Sequence, residues 1–111
     1  MERSSRDGVE LVLVEGEVDI ATAARLISVL NSSVAEAIKA VVVDLTQVGF
    51  MDSTGLALLI NANRRLKLRR KGFAVVCPPG PLRRVFEITD MGETLHVCPD
   101  RESAAKAFLP A

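Results

Sequence analysis

Two hydrophobic periods alternate along this chain, and their alternation limits the folds that it can adopt. The run AVVVDL at 40–45 is typical of a strand covered on both faces, whereas residues 53–71 carry apolar side chains at helical spacing. The same change of period occurs earlier, from VELVLVEG at 9–16 to a helical pattern at 21–38. Because strands joined by helical crossovers run parallel, these segments predict an α/β protein.

The second half of the chain continues the alternation. FAVVC at 73–77 and TLHVC at 94–98 are predicted strands, separated by a short predicted helix. Asp100 is a predicted cap for a last helix at 101–109, since its carboxylate can accept an unpaired N–H of the first turn. The predicted element order is therefore βαβαβαβα.

This order fits one domain over residues 9–111. Its sheet is expected to be mostly parallel, with four to five strands and about four helices. Residues 1–8 are polar, and they are interpreted as a flexible segment or a short edge strand.

The helical patterns also predict which side chains face the sheet. The first helix is expected to point six apolar residues inward: Ala23, Leu26, Ile27, Leu30, Val34 and Ile38. The second helix is expected to bury Leu56, Leu59, Ile60 and Leu66. The third helix is expected to begin at Gly80 and Pro81. Proline suits the first helical position because the N–H that it lacks would have no helical partner there. This helix is expected to bury Leu82, Val85, Phe86 and Ile88.

Composition excludes several functional classes. The 111 residues carry 14 basic and 14 acidic side chains, so the whole chain has no electrostatic preference for nucleic acid or for a membrane. The apolar runs are too short to cross a bilayer, and no signal peptide opens the sequence. We therefore expect a cytoplasmic protein without membrane insertion and without direct nucleic acid binding.

One strongly basic segment stands out against this balance. RRLKLRRK at 64–71 closes the second predicted helix, and no acidic residue occurs between Arg64 and Arg84. A solvated helix end explains it, since positive charge is favoured near a helix C-terminus. Docking to an acidic face of a partner is the functional alternative.

Two polar segments are predicted to leave the carboxyl ends of neighbouring strands, where open α/β sheets usually place their function. They are GEVD at 16–19 and DLTQVGFMDSTG at 44–55. The second is long for a connection between a strand and a helix, and long ordered loops are often functional. Asp19, Asp44 and Asp52 are expected on this edge, and neither segment contains Lys or Arg.

Local capping explains part of this polar set. Asp52 or Ser53 can cap the second helix, and Asp19 and Thr22 can do the same for the first. Gly55 is expected to let the second helix approach the sheet closely.

Catalysis by the exposed serine lacks its partners. Ser53 has no G-x-S-x-G context, and His96 lies inside a predicted strand. A phosphate-binding loop would need G-K-[ST], which is absent. We expect no catalytic residue, no cofactor and no metal. Phosphorylation of Ser53 remains open, and a dianion on this acidic edge would repel a partner at a cost of several kcal/mol.

The two cysteines allow two hypotheses. If their strands are parallel neighbours in register, Cys77 and Cys98 lie side by side at a separation that a disulfide requires, as a candidate redox pair. Two buried free thiols are the alternative, and they suit a cytoplasmic protein better.

The motifs GEVD, VVVDLTQVGFMDSTGL and KGFAVVCPPGPLRRVFEIT resemble the STAS domain, and most closely the bacterial anti-sigma factor antagonists. The resemblance covers the chain from Val9 onward and implies the STAS fold. By position it makes Ser53 the phosphoacceptor and Thr54 its neighbouring hydroxyl. It also implies that Asp19 and Asp52 shape a partner-binding rim. Asp44 and Gly55 are predicted to belong to the same rim, because they lie in the same two polar segments.

The resemblance implies partner switching by a binding module that is not an enzyme. The unphosphorylated protein would bind an anti-sigma factor that is also a serine kinase, and would thereby release the sigma factor. Phosphorylation at Ser53 would end that complex, and a PP2C-type phosphatase would restore it.

Two departures from the antagonist pattern leave alternatives open. The N-terminal segment is short, which would leave the sheet edge unpaired or open to homodimerisation. GLALLI at 55–60 resembles the STAS subunit of the bacterial phospholipid-transport ABC complex, which is a scaffold on its ATPase.

Overall fold

The computed structural model describes residues 1–108, which form five strands and four helices. The strands are β1 (Glu2–Arg6), β2 (Val9–Val18), β3 (Ala40–Met51), β4 (Gly72–Val76) and β5 (Val97–Cys98). The helices are α1 (Ala23–Glu36), α2 (Ser53–Leu68), α3 (Pro81–Ile88) and α4 (Arg101–Phe108). The predicted end of the last helix at Leu109 lies outside the described residues.

The strands form one sheet in the order β1-β2-β3-β4-β5. β2 to β5 are parallel, and β1 pairs antiparallel with β2. The prediction of an α/β fold with a mostly parallel sheet is confirmed. The sequence allowed either a flexible segment or a short edge strand at residues 1–8, and residues 2–6 form an edge strand. Arg3 holds it in place through an ion pair of 2.7 Å with the buried carboxylate of Glu10 and a second pair with Glu36.

Each face of the sheet carries its own apolar cluster, because side chains alternate along a strand. One face packs against α1, α2 and α3 and holds most of the core, including Val12, Val41, Val43, Val75, Leu26, Leu59 and Phe86. The other face is covered by α4 and holds Val42, Ala74, Val76, Cys98 and Ala104. Among the described helices, none combines the length and apolar character that a membrane span needs.

Three of the predicted inward isoleucines are exposed, and these predictions are wrong. Ile27 is 41% exposed at the margin of the buried stripe of α1, and Ile38 is 75% exposed because the helix ends at Glu36. Ile88 is 83% exposed at the last position of α3, where the short helix contributes only Phe86 to the fully buried core.

The predicted long loop at 44–55 is also wrong, because β3 continues to Met51. β3 contains two more residues than the part of β2 that it pairs with. One extra residue lies between the pairs Leu13–Asp44 and Glu15–Gln47, and the other lies between the pairs Gly16–Val48 and Glu17–Phe50. These β-bulges break the period of two on which strand recognition depends. The strand β2 likewise runs through GEVD as far as Val18.

The strand predicted at 94–98 is reduced to Val97 and Cys98. His96 therefore lies outside the strand, exposed and in the left-handed region with φ of 53°. A turn occupies the rest of this segment, and the hydrogen bond from Val97 N to Gly92 O closes it.

The side-by-side placement predicted for the two cysteines is wrong. Cys98 pairs with Val76 rather than with Cys77, and this offset of one residue puts the thiols on opposite faces of the sheet. Both are buried free thiols, and burial raises the pKa of each.

The buried hydroxyl of Ser33 in α1 gives a test of core energetics. It is fully buried without a hydrogen-bond partner, whereas the neighbouring Ser32 is exposed. An unpaired buried hydroxyl costs free energy, so we expect Ser33→Ala to raise the free energy of unfolding by about 1 kcal/mol more than Ser32→Ala does. Urea unfolding of both variants measures this, and a loss of stability specific to Ser33→Ala would contradict it.

Candidate functional site

The ends of β2 and β3 bring the two predicted site segments together. Val18 is the register partner of Met51, and the backbone N–H of Asp52 donates to the carbonyl of Val18 at 3.1 Å. Asp19 and Asp52, which follow these strands directly, are therefore neighbours at the carboxyl edge of the sheet.

Asp52 is the residue that caps α2. Its Oδ1 accepts hydrogen bonds from the backbone N–H groups of Thr54 at 2.9 Å and Gly55 at 3.2 Å, which are two of the donors that a helix start leaves unpaired. The sequence left the cap open between Asp52 and Ser53. Since Asp52 provides it, Ser53 is the first helical residue and its side chain is exposed.

Asp19 organises the turn before α1, and the predicted capping of that helix by Asp19 or Thr22 is wrong, because Thr22 at the N-cap position makes no side-chain capping hydrogen bond. Its Oδ1 accepts from the backbone N–H of Ala21 at 2.9 Å and of Thr22 at 3.2 Å, and the Thr22 hydroxyl accepts from the backbone N–H of Asp19 at 3.0 Å. This reciprocal pair fixes the turn between β2 and α1.

Gly55 lies where α2 comes closest to the sheet. A Cβ at this position would lie 2.5 Å from Cγ of Met51 and 2.7 Å from Cγ1 of Val18, and both of those side chains are buried. The start of α2 is thereby held against the ends of β2 and β3.

Residues 15–22 and 49–56 form one surface, which we call the Ser53 rim. Its charged side chains are all acidic: Glu15, Glu17, Asp19 and Asp52. Two apolar side chains stand out from it, Ile20 at 80% exposure and Phe50 at 51%. The Ser53 rim is therefore an acidic surface that also exposes two apolar side chains and the side chain of Ser53, a combination suited to a protein partner.

Asp44 does not belong to this surface, and its predicted place on the rim is wrong. It lies within β3 and is only 2% exposed, on the face covered by α4. Its Oδ2 accepts from Nε of Arg101 at 2.5 Å, and its Oδ1 accepts from the backbone N–H of Thr46 at 2.8 Å. Burial would raise the pKa of Asp44, but the hydrogen bonds from Thr46 and the cation of Arg101 together lower it below the ordinary value of 3.8.

The lowered pKa of Asp44 gives an expected pH dependence. A carboxyl with a depressed folded pKa stabilises the protein above its unfolded pKa, and that stabilisation is lost as the pH falls through the folded value. We expect Asp44→Asn to lower the free energy of unfolding by about 1–3 kcal/mol at neutral pH, and the difference from wild type to shrink below about pH 4. Urea unfolding across this range measures it, with Asp90→Asn as an exposed control. A difference that stays constant with pH would contradict it.

Comparison with known proteins places the chain in a family. The STAS domain family model matches residues 1–104. The chain is 31% identical over 97 residues to the anti-sigma-B factor antagonist of Staphylococcus aureus strain NCTC 8325 / PS 47, with 87% of this chain and 90% of the relative covered.

Solved structures agree with this assignment. An anti-sigma factor antagonist from Mycobacterium paratuberculosis superimposes with a TM-score of 0.90 at 33% identity, covering 96% of this chain and 91% of the other. The anti-sigma factor antagonist SpoIIAA in its unphosphorylated form gives a TM-score of 0.79 at 17% identity, covering 96% of this chain and 94% of the other, and shows a shared fold. The chain is a STAS domain protein and belongs to the anti-sigma factor antagonist family.

Proposed function

We propose that this protein antagonises an anti-sigma factor by partner switching controlled at Ser53. In the unphosphorylated form, the Ser53 rim binds an anti-sigma factor that is also a serine kinase, and the sigma factor is released. Phosphorylation of Ser53 by that kinase ends the complex, and a PP2C-type phosphatase restores the binding form.

The observation that carries this proposal is the position of Ser53. It is exposed at the first residue of α2, and the helix is capped by Asp52, so the serine hydroxyl is available for modification without loss of the cap. Ile20 and Phe50 are also exposed in the rim segments and supply apolar contact area of the kind that anchors a partner.

The charge of the Ser53 rim decides what a phosphate would do there. A phosphate adds close to two negative charges, and the N-terminus of α2 favours it by only about 0.3–1 kcal/mol. No Lys or Arg occurs within the rim to pair with it, and the four charged side chains of the rim are all carboxylates. A partner that buries this unpaired dianion would lose several kcal/mol, so phosphorylation acts as an off switch for binding.

The chain acts as the substrate of the kinase and as a binding module. A serine nucleophile would need a neighbouring base. His96 lies at the amino end of β5, the opposite edge of the sheet from Ser53, and its ring packs against Phe108 at a centroid distance of 6.1 Å. Within residues 1–108, Ser53 therefore has no histidine to activate it.

A capture experiment with three baits tests the proposal. Wild type, Ser53→Ala and Ser53→Asp are exposed to lysate of the source organism, and retained proteins are identified by mass spectrometry. We expect wild type and Ser53→Ala to retain an anti-sigma factor kinase and Ser53→Asp to lose it. With ATP, the retained kinase should transfer one phosphate to wild type and none to Ser53→Ala.

The same experiment distinguishes the proposal from the alternative that the sequence left open. Retention of an ABC transporter ATPase by all three baits would assign the chain to the phospholipid-transport scaffold suggested by GLALLI at 55–60, and Ser53 would then be only a helix residue. Transfer of phosphate to a residue other than Ser53 would also overturn the proposal.

A further inference from the structure

The end of the molecule opposite the Ser53 rim carries a second distinctive surface. Residues 38–39 and 64–71, which we call the basic tip, lie together because the ends of α1 and α2 are joined there. Nη1 of Arg69 donates to the carbonyl of Val34 at 3.2 Å, and the backbone N–H of Gly72 donates to the carbonyl of Lys39 at 2.9 Å.

Part of the positive charge in the basic tip has a structural role. Besides Arg69, Arg65 donates to Oδ1 of Asn31 at 2.5 Å, and Lys71 donates to the carbonyl of Ala37. The contacts of Arg69 and Lys71 satisfy carbonyl groups at the end of α1, as expected of cations near a helix C-terminus, and that of Arg65 reaches a side chain within the helix. Four further cations form no salt bridge within residues 1–108: Lys39, Arg64, Lys67 and Arg70. All four are exposed.

Two large aliphatic side chains of the basic tip are exposed. Leu68 is 81% exposed at the last position of α2, and Ile38 is 75% exposed in the connection between α1 and β3. Both are flanked in sequence by cations, Lys67 and Arg69 on one side and Lys39 on the other. The basic tip thus combines exposed apolar groups with unpaired positive charge.

We propose that the basic tip docks onto an anionic lipid surface. Cations next to exposed aliphatic side chains suit an interface whose headgroups are negative and whose interior takes up apolar groups. The side chains of Leu68 and Ile38 are largely exposed, so they need a binding surface that can deform around them. A lipid layer can do so. The proposal is independent of Ser53 and of any sigma factor.

The geometry makes such docking compatible with partner binding. The 16 residues of α2 separate Ser53 from Leu68, which at 1.5 Å per residue is about 22 Å. A molecule held by its basic tip would present the Ser53 rim to solvent. Docking would therefore place the antagonist at a membrane surface without covering the surface that carries Ser53.

Co-sedimentation with vesicles tests the proposal. The full chain is mixed with vesicles of phosphatidylcholine alone or of an equimolar mixture with phosphatidylglycerol, at low and at high salt. We expect binding to the mixed vesicles only, weakened by salt because exposed charges are screened. Since each cation near an anionic surface strengthens binding about fivefold, Lys67→Gln with Arg70→Gln should weaken partitioning about 30-fold. Arg84→Gln, at an exposed arginine of α3, is the matched control and should have no effect.

Insertion of the aliphatic side chains is tested separately. The chain contains neither Trp nor Tyr, so Leu68→Trp introduces a single indole whose emission should shift to the blue on mixed vesicles. Ile88→Trp is the matched control, because Ile88 is 83% exposed but lies outside the basic tip, and its emission should not shift. Leu68→Gln should weaken partitioning about tenfold or more.

Three outcomes would overturn the proposal. The first is equal binding to both vesicle types or to neither. The second is a blue shift in Ile88→Trp as large as in Leu68→Trp. The third is binding to soluble polyglutamate that is as strong as binding to mixed vesicles and insensitive to Leu68→Gln, which would assign the basic tip to an acidic protein instead.

Discussion

Ser53→Asp is expected to weaken binding to the anti-sigma factor by roughly a hundredfold, whereas Ser53→Ala should leave the affinity nearly unchanged. The serine is exposed and does not cap α2, so its removal costs the free protein little. A carboxylate at this position adds a charge to a rim that already holds four, and a partner must desolvate it without a counter-ion. A loss of about 3 kcal/mol corresponds to this change in affinity.

Isothermal titration of the purified anti-sigma factor measures the effect. Ser32→Asp is the matched control, because Ser32 is an exposed serine in the second half of α1, away from the Ser53 rim. Urea unfolding should show that each variant remains folded. Equal affinities for wild type and Ser53→Asp would mean that the partner does not cover Ser53.

Gly55→Ala is expected to lower the free energy of unfolding by about 1–3 kcal/mol, through overpacking at the junction of α2 with β2 and β3. The added Cβ would lie within 3 Å of Met51 Cγ and Val18 Cγ1. Relief requires α2 to move away from the sheet or Met51 to change conformation. A new conformation of Met51 alone would leave the contact with Val18 Cγ1, so α2 has to move. This movement shifts the backbone that carries Ser53, and partner binding should weaken as well.

Gly49→Ala provides the control for this prediction. Gly49 lies in the same segment of chain, but a Cβ there would have no neighbour within 4 Å. Urea unfolding of the two variants compares a crowded glycine with an uncrowded one. Equal stabilities would show that the α2 junction is looser than its geometry indicates.

The order of elements could be predicted from the sequence because each depends on local periodicity. The strand at 40–45 and the buried stripe of α2 needed only residues within one segment. The caps at Asp52 and Asp100 were predictable for the same reason, because each carboxylate accepts from an N–H two or three residues away. Asp19 instead closes the turn before α1.

Other features depend on contacts between segments that are far apart in the chain. These features could not be predicted from the local sequence pattern. Asp44 is buried on the sheet face that α4 covers, where it pairs with Arg101, 57 residues away in the chain. The bulges of β3 turn a predicted loop into strand, because their spacing is set by pairing with β2. The offset of β5 by one residue separates Cys77 from Cys98, and register of this kind is not visible in either strand alone.

The exposed aliphatic residues show a further limit. Ile38 was predicted as a core residue, yet it lies beyond the end of α1, and Leu68 is exposed at the last position of α2. Only the position of the helix ends exposes them and reveals the basic tip.

The most direct test of the central claim compares one protein in two states. The chain is prepared with phosphoserine at position 53, and half of the sample is then dephosphorylated with a PP2C-type phosphatase. Both halves are titrated with the same anti-sigma factor. We predict tight binding by the dephosphorylated protein and a loss of at least a few hundred-fold in affinity for the phosphorylated one. Equal affinity of the two samples would contradict the assignment of Ser53 as the switch.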